Sequence, residues 1–246
     1  MQQLINPNNS VNVELTDIEL DGKMTLCSLL EEKKNTHDFD IVDNSNGSTF
    51  PKLSDTQIES ILRELIVDHL LFNYDTKGVN FLYDEKCVYG IDKEQACKFC
   101  NQTSDNEEKN FAGEGINPTR KSGNGVAFYN VFIQHYKDKI PKEKIIEIYT
   151  DVLKKVESKS LKEFIGLYLP YLKSLNDSND ITNEKIQFII GRRIRLVSET
   201  IDFVRNKFGI ELNYIEKDLS GEIEELNEFL ESNDLERVGI DCGKSK

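Results

Sequence analysis

Residues 72–94, FNYDTKGVNFLYDEKCVYGIDKE, combine a predicted β-hairpin with acidic and amide side chains at its open end. The hairpin is predicted over 79–91. Asp75 precedes it, Asn80 lies at its start, and Asp92 follows its second strand. A solvated hairpin does not need these side chains. A site that holds a metal–phosphate complex does need oxygen ligands of this kind.

Helical patterns flank this stretch on both sides. Ser54-Asp-Thr-Gln57 has the form of a capping box, and apolar residues recur behind it at intervals of three and four to about Phe72. Residues 101–125 lack periodicity and are predicted to form a long loop. The later helices are predicted over 126–138, 142–157, 159–174 with a kink at Pro170, and 182–207. In the first of these, Tyr129, Phe132, Ile133 and Tyr136 have the spacing of core residues. The pattern indicates a mainly α protein with a small β-hairpin, an α+β fold.

The segment 1–53 is predicted to hold a strand, a short helix and a loop ahead of the main domain. Residues 1–10 are rich in Asn and are predicted to be a frayed end. Alternating apolar residues predict a strand over 11–22, and Met24 to Glu32 is predicted to be a short helix. The polar stretch 33–50 is predicted to be a loop.

The main domain is predicted over 54–212, and an acidic, loosely attached tail over 213–246. The tail should contain a helix near 220–232. Arg192-Arg193-Ile194-Arg195 is the basic cluster of the chain, and charge runs of this kind usually form a solvated helix face.

Composition excludes several classes of partner. The net charge of -13 opposes binding to nucleic acid and to anionic membrane surfaces. The sequence contains neither a run of about 18 apolar residues nor an N-terminal signal peptide pattern, so we expect no transmembrane segment and a cytoplasmic location. Of the five cysteines, only Cys97 and Cys100 form a CxxC pair, and reduced thiols are favoured over a zinc site.

Phosphoryl transfer requires a carboxylate to orient the attacking hydroxyl, a cation near the γ-phosphate, and oxygen ligands for magnesium. The stretch offers Asp75 for the hydroxyl, Lys77 for the γ-phosphate, and Asn80 and Asp92 for the metal. Asp68 and Asn73 form a second pair with the same five-residue spacing. Because Asp68 lies inside the predicted helix and no strand follows Asn73 directly, the first assignment is preferred.

Asp75-Thr76-Lys77-Gly78-Val79-Asn80 resembles the D-x-K-x-x-N catalytic loop of protein kinases and the D-x-x-x-x-N loop of phosphatidylinositol kinases. Tyr89-Gly90-Ile91-Asp92 is similar to the strand that ends in their metal-binding aspartate. The chain most resembles phosphatidylinositol 3-/4-kinase-like catalytic domains. The resemblance implies a kinase-like C-terminal lobe with bound ATP and Mg²⁺, in which Asp75 is catalytic, Lys77 contacts the γ-phosphate, and Asn80 and Asp92 bind magnesium. It further implies that Leu82 and Ile91 form part of the floor under the adenine.

The chain also departs from the kinase pattern. Lys93-Glu94 follows Asp92 where Phe-Gly is common, and the sequence shows neither a glycine-rich phosphate loop nor a V-A-I-K-like lysine. These features belong to the N-terminal lobe, which is therefore expected to be absent or truncated. The expected function is an ATP-dependent phosphotransferase acting on a protein, lipid or small-molecule hydroxyl. The alternatives are a pseudokinase or non-catalytic helical interaction module, and a helical binding protein in which the motif is coincidental.

Overall fold

The described part of the chain is mainly helical and contains two small antiparallel sheets, which confirms the predicted α+β class. The structure, a computed structural model, describes residues 1–20, 22–30, 32–39, 50–71, 73, 76–91, 128–174 and 179–239. In chain order the elements are α1 (Gln2–Ile5), β1 (Val13–Leu20), β2 (Lys23–Leu30), β3 (His37–Asp38), α2 (Asp55–Leu70), β4 (Phe81–Tyr83), β5 (Val88–Gly90), α3 (Phe128–Tyr136), α4 (Lys142–Glu157), α5 (Leu161–Ser174), α6 (Asn179–Phe208) and α7 (Ser220–Glu231). Short 3-10 turns cover Pro7–Asn9 and Gly78–Asn80.

Helix α2 begins at the predicted capping box and holds the β4–β5 hairpin along one face. The Ser54 hydroxyl accepts a hydrogen bond from the Gln57 backbone N–H, and the Gln57 side chain accepts one from the Ser54 N–H. The amide of Gln57 also donates to the Asp84 carbonyl at 2.6 Å, and the Ser60 hydroxyl donates to the Val88 carbonyl at 2.6 Å. The helix start and the hairpin are therefore fixed to each other by short polar contacts.

Strands β3, β4 and β5 form a three-stranded antiparallel sheet with β4 in the centre. Leu82 pairs with both Asp38 and Tyr89. On the buried side of β4, the Phe81 ring stacks on the Phe128 ring of α3, with centroids 3.9 Å apart. The predicted hairpin is confirmed, and β3 is an additional strand within the stretch that was predicted to be a loop.

The prediction of a helix over 24–32 is wrong, because β2 occupies Lys23–Leu30 and pairs antiparallel with β1 along its whole length. Leu20 pairs with Lys23, so the connecting turn has only two residues, and Gly22 adopts a φ of 75°. Asp-Gly at a two-residue turn favours this geometry because both positions tolerate positive φ. The hairpin signal outweighs the helix propensity of the leucines that follow.

The Asn-rich N-terminus is docked on α2 rather than frayed. The Gln2 side chain donates to Glu64 at 2.9 Å, and the Asn6 amide donates to Glu64 at 3.3 Å. Asn9 donates to the Ser60 hydroxyl at 2.7 Å. These amides satisfy polar groups on α2 that are buried, and buried polar groups require such partners.

The basic cluster is not a solvated face, since Arg192 and Arg193 are 2% and 1% exposed. The Arg192 guanidinium lies over the Phe188 ring at 5.1 Å, and Arg193 donates to the Val156 carbonyl at 3.4 Å. Burial lowers the pKa of Arg193 below its ordinary value. Of the three arginines, Arg195 has an exposed side chain, which forms an ion pair with a neighbouring acid.

The C-terminal segment contains the predicted helix as α7, but this helix is firmly packed rather than loosely attached. The helix packs against α5, and its Leu226 and Leu230 are fully buried in the same apolar core as α2. Beyond the helix, the Val238 N–H donates to the side chain of Asn227 at 2.7 Å. Regularly spaced leucines anchor the segment despite its acidic composition.

Within the described ranges, none of the helices combines the length and the apolar composition needed to cross a membrane.

Candidate active site

The candidate site is centred on the segment that joins α2 to β4. Among the predicted site residues, the structure describes Lys77, Asn80, Leu82 and Ile91. Asp75 and Asp92 lie outside the described residues, as does the predicted long loop that follows Asp92. The geometry of the site is therefore given by the residues on either side of them.

Asn73 provides the first fixed point of this segment. Its backbone N–H donates to the Asp68 carbonyl at 2.9 Å, and its side-chain amide donates to Asp68 Oδ1, also at 2.9 Å. The other carboxylate oxygen of Asp68 accepts a 2.6 Å hydrogen bond from the Tyr129 hydroxyl. Asp68 lies within α2 as predicted, and both its oxygens face protein donors.

Thr76 provides the second fixed point. Its carbonyl accepts a 3.0 Å hydrogen bond from the backbone N–H of Phe128, the first residue of α3. Thr76 is almost fully buried. The first two residues of α3 thus reach this region in different ways: Phe128 bonds Thr76 directly, whereas Tyr129 bonds Asp68, which in turn bonds Asn73.

Asn80 ends the 3-10 turn and is buried, with 3% of its surface exposed. Its N–H donates to the Lys77 carbonyl at 3.0 Å, and its own carbonyl accepts from the Ile91 N–H at 2.8 Å. Ile91 directly precedes Asp92 in the sequence. The hairpin therefore closes at Asn80, one predicted magnesium ligand, and at the residue that precedes Asp92, the other.

Leu82 and Ile91 are both half-buried. Leu82 and its partner Tyr89 lie on the face of the sheet opposite Phe81, because side chains alternate along a strand. Ile91 continues the Tyr89 face two residues later. This places the two residues predicted to form the adenine floor on the same side of the hairpin, away from the core of aromatic rings.

Sequence analysis missed a buried polar cluster between the end of α2 and α6. His69 Nε2 lies 2.8 Å from a carboxylate oxygen of Glu199, and His69 Nδ1 lies 3.5 Å from the guanidinium of Arg192. Glu199 also accepts from Arg195 at 3.1 Å. Burial, followed by the charge of Arg192, lowers the pKa of His69 to about 4, so the ring is neutral near pH 7. The sequence contained one signal for this cluster, namely a histidine on the apolar face of α2 together with a basic run on a later helix.

A groove of about 820 Å³ lies at the turn end of the hairpin, opposite the end formed by Asn80 and Ile91. Its lining includes Lys34, Lys52 and Lys86. Among the described residues, no three or more His, Cys, Asp or Glu side chains are grouped in a way that could hold a metal ion. The predicted metal site is not tested by this finding, because Asp92 is outside these residues.

A comparison of the chain with protein-family models, with characterised proteins and with solved structures finds no match.

Proposed function

We propose that this chain forms the C-terminal lobe of a kinase-like phosphotransferase that uses ATP and magnesium. The observation that carries the proposal is the hydrogen bond between the Ile91 N–H and the Asn80 carbonyl, at 2.8 Å. It closes the hairpin at Asn80 and at Ile91, which directly precedes Asp92 in the sequence. The fixed points at Asn73 and Thr76 lie on either side of Asp75 in the sequence.

In this proposal each residue of the motif has a separate task. The acceptor hydroxyl attacks the γ-phosphorus while Asp75 orients it and takes its proton, and the bond to the β–γ bridging oxygen breaks so that ADP leaves. Lys77 balances the negative charge of the transferred group. The amide oxygen of Asn80 and the carboxylate of Asp92 fit the preference of Mg²⁺ for oxygen ligands. When bound, the metal neutralises charge on the phosphates.

Leu82 and Ile91 would form an apolar floor beneath the nucleotide base. Both are half-buried on a single face of the hairpin, so each leaves apolar surface that a planar ligand can cover. The acceptor, whether a protein, a lipid or a small molecule, is left open in this proposal.

An N-terminal lobe would complete the nucleotide site. Within the described ranges, β1 and β2 form a two-stranded sheet of their own, and a two-stranded hairpin alone is marginally stable. We infer that this hairpin lies where an N-terminal lobe would adjoin the chain. Because the sequence lacks a glycine-rich loop and its lysine, nucleotide binding by this chain alone should be weak.

The absence of a glycine-rich loop and its lysine from the sequence also favours a second candidate function. In this alternative the chain is a pseudokinase or a non-catalytic helical interaction module. The two candidates differ in a measurable way. An enzyme binds Mg·ATP and converts it to ADP, a pseudokinase binds nucleotide without turnover, and an interaction module does neither.

Isothermal titration calorimetry of the full chain, with ATP in magnesium or in EDTA, tests the proposal. We expect weak binding that requires the metal and is lost in Asp92→Asn. Asp75→Asn should bind normally but should not produce ADP, because its role belongs to the transition state. Glu85→Gln, at the exposed turn of the same hairpin, is the matched control and should behave like the unmodified protein. Binding that does not require magnesium, or that is retained in Asp92→Asn, would contradict the assignment of Asp92 as a magnesium ligand.

A further inference from the structure

The groove of about 820 Å³ at the turn end of the β4–β5 hairpin has no part in the proposed phosphoryl transfer. Its lining residues come from three separate segments of the chain, 34–37, 52–57 and 83–86. The volume is in the range of small-molecule sites, which is about 300–1,000 Å³. Asn80 and Ile91 lie at the opposite, open end of the hairpin, so the groove is a separate feature of the fold.

Each of the three segments contributes one lysine to the groove, Lys34, Lys52 and Lys86. All three are exposed, and none of them belongs to an ion pair within the described part of the chain. They converge in a protein whose net charge is -13, in which most surfaces repel anions. Cations that line a cleft raise the local concentration of anions there. The groove therefore differs in charge from the rest of the molecule.

The lining also contains two acids, which do not outweigh the lysines. The carboxylate of Asp84 is used within the hairpin turn, where it accepts from the N–H groups of Lys86 and Cys87 at 2.8 and 2.7 Å and from the Tyr89 hydroxyl at 3.0 Å. Glu85 is at the exposed tip of the same turn. Three positive charges against two negative ones, one of them engaged by its own turn, leave the groove with an excess of positive charge.

The groove offers further contacts for an anion and for an organic group. It includes the start of α2, a helix of 16 residues, and helix N-termini favour negative charge. The Ser54 hydroxyl accepts from the Gln57 N–H, but within the described residues it donates its own proton to no acceptor. The rings of His37 and Tyr83 also line the groove, with centroids 5.8 Å apart, and they supply apolar surface.

We propose that this groove is a binding site for a small phosphomonoester. The phosphate is held by Lys34, Lys52 and Lys86 beside the start of α2, and the organic group lies against the rings of His37 and Tyr83. A phosphomonoester has a charge of about −1.5 to −2 at pH 7 and three acceptor oxygens, which suits three ammonium groups better than the single charge of a carboxylate does. The inference does not depend on the proposed kinase activity.

The test is a titration of the full chain followed in two-dimensional ¹H–¹⁵N NMR spectra, in EDTA and at low salt. The probes are phenyl phosphate, inorganic phosphate and benzoate. We expect phenyl phosphate to shift the N–H signals of the lining residues saturably, with a Kd on the order of 1 mM. Inorganic phosphate should bind more weakly because it lacks the ring, and benzoate because it has one charge. Because EDTA removes magnesium, the result is independent of the proposed metal site.

Two double variants locate the binding. Lys52→Gln with Lys86→Gln should raise the Kd for phenyl phosphate on the order of tenfold or more, because each lysine supplies a charged hydrogen-bond donor. Lys154→Gln with Lys207→Gln removes the same charge from exposed positions on α4 and α6 that do not line the groove, and it should leave the Kd within about twofold.

Three outcomes would overturn the proposal. The first is the absence of saturable shifts at the lining residues up to about 20 mM phenyl phosphate, a concentration at which the added salt begins to screen the lysines. The second is equal weakening in the two double variants, which would mean that only the overall charge matters. The third is benzoate that binds as tightly as phenyl phosphate, which would exclude a site built for phosphate.

Discussion

The buried histidine of α2 should make the stability of this protein fall as the pH drops below neutrality. His69 is 1% exposed and has a pKa of about 4 in the folded protein, against an ordinary value of 6.5. Burial is the main cause, the nearby charge of Arg192 adds to it, and Glu199 acts in the opposite direction without cancelling it. Between pH 6.5 and 4, the unfolded chain therefore binds a proton that the folded chain does not.

The size of the effect follows from the difference in pKa. Each pH unit in this window lowers the free energy of unfolding by roughly 1.4 kcal/mol. The contribution of His69 to the free energy of unfolding is fully present above pH 6.5. It falls by roughly 2 kcal/mol between pH 7 and 5, and the total loss at pH 4 is roughly 3 kcal/mol. For a domain with a net stability of about 5–15 kcal/mol this is a large fraction.

Urea unfolding followed by circular dichroism, at intervals from pH 7 to 5, measures this dependence. His69→Gln should remove the part of the slope that comes from this histidine. The difference between its curve and that of the unmodified protein isolates this part, together with any change in Glu199, the hydrogen-bond partner of His69. His37→Gln, at an exposed position in β3, is the control and should keep the slope. Equal slopes in His69→Gln and the unmodified protein would refute the reasoning.

Further predictions concern the groups that anchor the helices. Arg193→Met should lower the free energy of unfolding by roughly 2 kcal/mol, because it removes a buried hydrogen bond from a charged donor to the Val156 carbonyl. Arg195→Met, at an exposed ion pair, should cost less than about 1 kcal/mol, and equal losses in chemical denaturation would contradict the burial argument. Leu226→Ala should lower the free energy of unfolding by roughly 3 kcal/mol by opening a cavity under α7, and Ile215→Ala, at a 94% exposed position, is the near-neutral control. A loss below about 1 kcal/mol for Leu226→Ala would mean that α7 is loosely held. Ser54→Ala should cost about 1 kcal/mol through loss of the α2 cap, and an unchanged thermal midpoint would contradict it.

Local signals in the sequence correctly predicted those helices whose start and length are determined by residues close together in the chain. The capping box fixed the start of α2, and the periodicity over 142–157 gave the bounds of α4 as the structure has them. Non-local information decided the rest. Residues 24–30 became a strand because they pair across the turn at Gly22, and the burial of Arg193 depends on the end of α4, which supplies the Val156 carbonyl.

The candidate site was predicted to a similar extent. The order of a helix, a loop and a hairpin was read correctly, and Asp68 was correctly placed inside the helix. Tyr129 was predicted as a core residue from its spacing, and it is one, but its hydrogen bond to Asp68 has no sequence signature. A periodic pattern reports which side of a helix is buried, and it carries no information about which polar partner a buried hydroxyl will find.

The polar contacts of α2 also have a consequence for synthesis of the chain. His69 is paired with Glu199, which comes 130 residues later, and Asp68 with Tyr129, which comes 61 residues later. At a translation rate of roughly 5–20 residues per second, His69 emerges roughly 6–26 s before its partner. Until then α2 exposes leucines that the later helices will cover, and transiently exposed apolar surface is prone to aggregation. The His69–Glu199 contact is therefore expected to be among the last to form, after most of α6 has left the ribosome.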